Sequence, residues 1–309
     1  MFRLRNLLLT LAAVPLLLGC PSRSFEIPPP KSEKTTTKYY PQSIEKDVDL
    51  LFVIDDSGSM EDEQTALSQS FGSLIDALVS PKLGNQLPNV HIGVVSSDLG
   101  AGSYSLPSCE VTGGKAGKLQ NAPRVAGCKP PADPWISSIE GKTNISGCTG
   151  SAVECVKQAF SCIGELGIEG CGFEMQLEAA RRALDPTLDI NPGFIRKDAF
   201  LAIIFITDED DCSARNPQLF DPQQQALTDP LGPLTSFRCF EFGVQCDVND
   251  RNSLGERKNC VPAYDWLHKT SDYIQFFENL KTSKDRVIMA AIAGPKTPVV
   301  VGKDGPNPV

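Results

Sequence analysis

Two short stretches hold the residues whose types and spacing could do chemistry. Residues 50–60 read LLFVIDDSGSM, and residues 205–213 read FITDEDDCS. In each, an apolar run breaks into carboxylates and hydroxyls. Three chemistries use such a pattern: a phosphate-accepting aspartate, a serine nucleophile, or a cradle for a hard cation. The first needs a second carboxylate two residues after the nucleophile. Asp55 is instead followed by Asp56 and then Ser57, and adjacent side chains diverge around a loop. The second needs a G-x-S-x-G turn and a base. Neither Ser57 nor Ser59 has glycine on both sides at that spacing, and the only histidines are His91 and His268. The third needs oxygens that converge. Asp55, Ser57 and Ser59 stand at D-x-S-x-S spacing, and alternate residues of a loop entering a helix can aim at one point. Carboxylate and hydroxyl oxygens suit Mg2+, or Ca2+ or Mn2+, rather than zinc or copper. No nucleophile–base pair stands out, so the expectation is a binding protein and not an enzyme.

The elements that must position these groups follow from hydrophobic pattern. Val48–Ile54, Val90–Val95, Ala199–Ile206 and Val287–Ala293 are near-continuous apolar runs of strand length. Strands buried on both faces read this way, which predicts a mainly parallel sheet between helical layers. Leu67, Phe71, Leu74, Ile75 and Leu78 repeat at helical spacing, as do Leu177, Ala180 and Leu184, and Tyr273, Phe276, Phe277 and Leu280. Strands alternating with amphipathic helices predict a doubly wound, Rossmann-like α/β fold over residues 47–309. In such a sheet, ligands lie at the carboxyl ends of strands, where both acidic stretches fall. Residues of about 99–170 and 212–262 break the rhythm, being long and rich in Gly and Pro. They read as insertions on one domain, with Trp135 and Trp266 packing small cores inside them. Glu209, Asp210 and Asp211 read either as a solvated acidic loop or as an extension of the cation site. Asp56 reads as exposed or as an anchor for its loop. After Gly294, PKTPVVVGKDGPNPV offers no amphipathic helix and no clear core strand. That predicts a sheet edge left uncovered, as in a chain lacking a last strand and helix.

Before the domain stand an export signal and a tether. Arg3 and Arg5 precede an apolar stretch from Leu7 to Leu18 that is short for a membrane span. It ends Leu17-Leu18-Gly19-Cys20. Residues 1–20 resemble a bacterial lipoprotein signal, which implies lipidation of Cys20. Residues 21–46, rich in Pro, Ser, Thr and Lys, read as an extended tether. Of eleven cysteines, ten remain once Cys20 is set apart: Cys109, Cys128, Cys148, Cys155, Cys162, Cys171, Cys212, Cys239, Cys246 and Cys260. An even set in an oxidising compartment predicts up to five disulfides, whose pairing the sequence leaves open. Zinc sites favour closer Cys pairs and partner histidines. A net charge of −9 without a basic cluster argues against nucleic-acid binding. The lipid would be the only membrane anchor, placing the chain in the cell envelope. Pro21 after the cysteine, in place of an aspartate retention signal, favours the outer membrane.

VIDDSGSM resembles the start of the metal-ion-dependent adhesion site (MIDAS) of von Willebrand factor type A (VWA) domains. The likeness spans about residues 48–295, through the strand–helix order, the acidic strand end at Asp208 and the strand VIMAAIAG. GCGFE, ITDEDDCS and the lipoprotein signal together resemble cysteine-rich VWA lipoproteins of the delta-proteobacterial type. This resemblance implies cation-assisted adhesion to a protein or peptide ligand whose acidic side chain completes the coordination. Asp55, Ser57 and Ser59 would be the first-loop ligands and Asp208 the last. Where the family places a threonine, this sequence has Cys171. Glu174 either replaces that ligand or serves as an acidic residue at a helix N-terminus. The alternative is a structural envelope lipoprotein whose metal site is vestigial or only stabilises the fold.

Overall fold

In the computed structural model of the protein, the described residues are 47–79, 84–294, 298–305 and 307–308. Residues 1–20, read above as a lipoprotein signal ending at Cys20, and residues 21–46, read as a tether, lie outside them. The four apolar runs form β1 (Asp47–Ile54), β2 (Asn89–Ser96), β5 (Phe200–Ile206) and β9 (Val287–Ile292). Their β-branched and aromatic residues fit a pleat covered on both sides. All neighbouring pairs among them are parallel, with Leu51 opposite Gly93 on one side and Ile203 on the other. Two short antiparallel strands, β3 (Ile136–Ile139) and β4 (Lys142–Thr143), extend the sheet to the order β4-β3-β2-β1-β5-β9. The chain leaves β1 for β2 on one side and reaches β5 and β9 on the other, so the order reverses beside β1. A crevice opens at such a reversal, at the carboxyl ends of the strands.

Helices cover both faces. α1 (Glu61–Leu78) and α2 (Ala152–Gly164) close over Leu50, Phe52 and Ile54. Phe160 stands 4.6 Å from Phe52 and 4.4 Å from Phe71, ring centre to ring centre. Gly164 has no room for a Cβ against the Phe71 ring, so the helices approach closely there. On the other face, α3 (Gln176–Leu184) and α5 (Thr270–Glu278) pack Ala180, Leu184, Tyr273 and Phe277 against Leu51, Val53, Leu201 and Ile203. The three amphipathic stripes therefore bury the predicted faces.

α2 corrects the sequence reading of residues 99–170 as loop. It is a core helix, set off by a capping box in which Ser151 and Glu154 satisfy each other's backbone N–H. Two of its inward positions are cysteines, which disguised an apolar stripe of Val156, Phe160 and Ile163. β3 and β4 belong to the same insertion, and the remainder of it is loop braced by Cys109–Cys171, Cys128–Cys162 and Cys148–Cys155. The second insertion carries Cys212–Cys239 and Cys246–Cys260. Its elements are small: α4 (Phe237–Gly243), β6 (Val244–Gln245), β7 (Gly255–Arg257) and β8 (Val261–Pro262). Buried Arg238 holds it from inside, donating to the carbonyls of Pro233, Leu219, Asp221, Gly232 and Gln224. Its five N–H donors thereby satisfy five carbonyls of the loop. The tryptophans do not pack separate small cores inside the insertions: Trp135, 6.0 Å from Phe194, and Trp266, 5.5 Å from Phe242, both lie against the core on the α3–α5 face of the sheet.

β9 ends the sheet, and Ile288, Met289 and Ile292 on it are about half exposed. The tail after Gly294 adds β10 (Val299–Val301), which pairs with β7 outside the central sheet. β11 (Lys303–Asp304) and β12 (Asn307–Pro308) form a hairpin of their own. At the opposite end of β1 from the acidic loop, fully buried Asp49 accepts from Arg196 N and Nε at 2.8 Å each and from Lys281 Nζ at 3.0 Å. Burial pulls the Lys281 ammonium below its usual value, and Asp49 opposes that shift.

Candidate functional site

The acidic loop after β1 is held by its neighbours' backbones. Asp55 N donates to Ile206 O at 2.9 Å, Ser97 N to Ile54 O at 3.2 Å, and Thr207 N to Ile292 O at 3.1 Å. The parallel ladder thus continues one residue past β1, β2 and β5, bringing residues 55, 97 and 207 to one edge. From the α1 side, Gln64 Nε2 donates to Asp55 O at 2.8 Å, and Gln64 Oε1 accepts from Leu166 N at 3.1 Å.

Asp55 is fully buried. Its Oδ1 accepts from Ser57 N at 2.9 Å and from Ser97 Oγ at 3.3 Å, and its Oδ2 accepts from Thr207 Oγ1 at 2.7 Å. Thr207 and Ser97, which sequence spacing did not single out, thereby fix the orientation of this carboxylate. Asp56 is the loop's anchor and is not exposed. It accepts from Ser96 Oγ at 2.6 Å and pairs with the Lys115 ammonium. Its backbone O accepts from Gly170 N at 2.6 Å, and a Cβ on Gly170 would collide with the Asp56 carboxylate.

Ser57, Ser59 and Asp208 form one chain of oxygens. Ser57 Oγ and Ser59 Oγ are 3.0 Å apart, and Ser59 Oγ donates to Asp208 Oδ1 at 3.3 Å. A cation holding six oxygens at about 2.1 Å sets adjacent ligands about 3 Å apart. The spacing therefore fits two or three neighbouring positions around Mg2+. Among the described residues, no three His, Cys, Asp or Glu side chains gather as a metal-holding group. A cation here would rely on the hydroxyls.

Glu174 lies at the N-terminal edge of α3, two residues after Gly172. It is 2% exposed, and its Oε1 lacks a hydrogen-bond partner. Burial, then the charges of Glu209 and Asp55, push its carboxyl up to about 9. Glu209 is raised too, by burial and by Asp208 and Asp55. A carboxylate that merely complemented a helix N-terminus would be stabilised as an anion and shifted the other way. Glu174 is thus a buried acid lacking positive charge. Asp211 separates from the site: its Oδ1 accepts from Leu177 N at 2.8 Å and caps α3. Asp210 is exposed. Cys171, at the position where the resemblance expects a threonine, is bonded to Cys109 and supplies no ligand.

A cavity of ≈410 Å³ opens over this edge, lined in part by Ser57, Ser59, Glu174, Glu209, Thr235 and Ser236. Two insertion segments, around Pro107 and around Thr235, form its rim. Among the described residues no helix is long and apolar enough to cross a membrane.

No family model matches the chain, and no curated protein does. Among solved structures, the pilus adhesin SpaC from Lactobacillus rhamnosus GG, in its open conformation, aligns at 15% identity. The alignment covers 81% of this chain and 28% of SpaC, with a TM-score of 0.29. So loose a superposition speaks neither for a common architecture nor for a common role.

Proposed function

We propose that the protein is a VWA-like binding domain that uses a divalent cation to hold a protein ligand at the cell envelope. The reading takes Ser57, Ser59 and Asp208 as the oxygens that hold the cation. Asp55 supplies buried charge behind them, and Glu174 takes the place of the threonine that the resemblance calls for. A bound cation would supply Lewis acidity for a carboxylate on the partner, arriving through the cavity above Ser57 and Ser59. The protein's part is to keep that edge rigid and acidic, which the ladder contacts at Asp55, Ser97 and Thr207 do. Lipidation at Cys20 would tether the domain to the envelope.

One observation carries this reading: hydroxyl and carboxylate oxygens at 3.0 and 3.3 Å stand beside a buried Glu174 whose Oε1 lacks a hydrogen-bond partner. Burial and the neighbouring carboxylates disfavour the charged forms of Glu174 and Glu209, and a bound cation would relieve that cost. Thermal unfolding tests the choice. Millimolar Mg2+, Mn2+ or Ca2+ raises the Tm of wild type and not of Asp55→Ala. No shift with any of the three cations would favour a purely structural envelope protein.

A further inference from the structure

Beside the cation edge lies a larger cavity, ≈650 Å³, between the acidic loop after β5, the start of α4, and β10. Its lining has two characters. Asp208, Glu209 and Asp210 make part of it acidic, while Phe237, Phe240 and Val300 make part of it apolar. Thr235 and Ser236 belong to both this cavity and the one over Ser57 and Ser59. Glu174, with its unpartnered Oε1, lines both as well. Among the described residues, Asp210 has no hydrogen bond and no ion pair.

These walls select an occupant. An anion would meet three carboxylates. A purely apolar group would cover Phe240 and Val300 but strip water from Asp210 without replacing it, which is costly. A long basic side chain satisfies both parts, laying its methylenes on the phenyl and valyl surface with its cationic head at the carboxylates.

We propose that this cavity is a subsite for an arginine or lysine side chain of the same partner segment that brings a carboxylate to the cation. The inference rests on the cation reading for one point: a cation on Asp208 and near Glu174 leaves Glu209 and Asp210 as the free charge. It extends that reading by naming the ligand class, a segment carrying an acidic and a basic residue. The recognition surface would then belong to the disulfide-braced insertion around Thr235–Phe240.

The test uses amide NMR shifts of the protein in Mg2+ with four probes: n-butylguanidinium, n-butylammonium, neutral n-butylurea and pentanoate. At least one of the two cationic probes should shift Glu209–Asp210 and Thr235–Phe240, binding at least tenfold tighter than butylurea. Which of them binds tighter distinguishes an arginine from a lysine subsite. Asp210→Asn should weaken the cationic probe at least fivefold with Tm unchanged, and Phe240→Ala should weaken it similarly. If Phe240→Ala lowers Tm, the exposed Asp210→Asn decides alone. Equal binding of butylurea, pentanoate binding at these residues, or no shifts there would overturn the subsite. A Mg2+-dependent rise in Tm without cationic-probe binding sinks the subsite and spares the cation reading. Cationic-probe binding without any metal effect on Tm does the reverse.

Discussion

Removing the Cys109–Cys171 bridge separates what holds the fold from what holds the site. The bridge closes a loop with a sequence separation of 62, against 7 for Cys148–Cys155. By loop-closure entropy the long loop is worth about 4 kcal/mol and the short one about 2.5 kcal/mol. Local position adds a second difference. Cys171 follows Gly170, whose N–H donates to Asp56 O, and stands three residues before Glu174. Freeing it releases the segment that presents Glu174 to Asp55. Alanine is the suitable replacement, because Cys109 and Cys171 are buried and a hydroxyl there would lack a partner. Urea unfolding of each double alanine variant, with and without millimolar Mg2+, measures both effects. The m-value should rise in both variants as the unfolded chain expands. Cys109→Ala/Cys171→Ala should lose about 4 kcal/mol and most of the Mg2+ increment. Cys148→Ala/Cys155→Ala should lose about 2.5 kcal/mol and keep that increment. Equal losses, or an unchanged Mg2+ increment in the first variant, would refute the argument that this disulfide supports the site.

Three further predictions follow from particular contacts. Glu174 has a folded-state value raised above its ordinary 4.5, to about 9. The stability its proton confers is complete below pH 4.5 and is lost as pH rises through about 9. A cation that displaces that proton should bind about tenfold tighter per pH unit across this window. Calorimetry at pH 6, 7 and 8 reads the slope, and Glu174→Gln should flatten it. Asp49→Ala should cost about 3–5 kcal/mol, because it leaves the buried Lys281 ammonium without its counter-charge. Adding Lys281→Met should recover part of that loss in the same denaturation curves, and no recovery would contradict the pairing. Phe160→Ala should cost about 3–5 kcal/mol by opening a cavity between Phe52 and Phe71. A loss under 1 kcal/mol would mean the α1–α2 layer collapses to fill it.

The central strands were legible because burial on both faces leaves an unbroken apolar run, and that signal is local. The stripes of α1, α3 and α5 were legible for the same reason. The even cysteine set foretold a disulfide framework, but pairing depends on which loops meet, and no local pattern encodes that. α2 was missed because Cys155 and Cys162 occupy inward positions, although Ser151-x-x-Glu154 was a readable start signal. The first loop of the site was visible in D-x-S-x-S spacing. Its supports were not: Thr207 reaches Asp55 across 152 residues of sequence, and Ser97 across 42. Asp49 was overlooked inside an apolar strand, since its partners Arg196 and Lys281 come from far along the chain. Glu174 gave two readings in sequence, and its burial beside Asp55 and Glu209 was not visible there.

Anomalous diffraction from crystals soaked in millimolar Mn2+ would locate a cation held by Ser57, Ser59 and Asp208. One manganese peak should appear at the carboxyl edge of β1 and β5, within about 2.0–2.4 Å of Ser57 Oγ and Ser59 Oγ. It should lie beside Asp208 and vanish in Asp55→Ala crystals. No peak at that edge, or a peak coordinated by other residues alone, would contradict the cation reading.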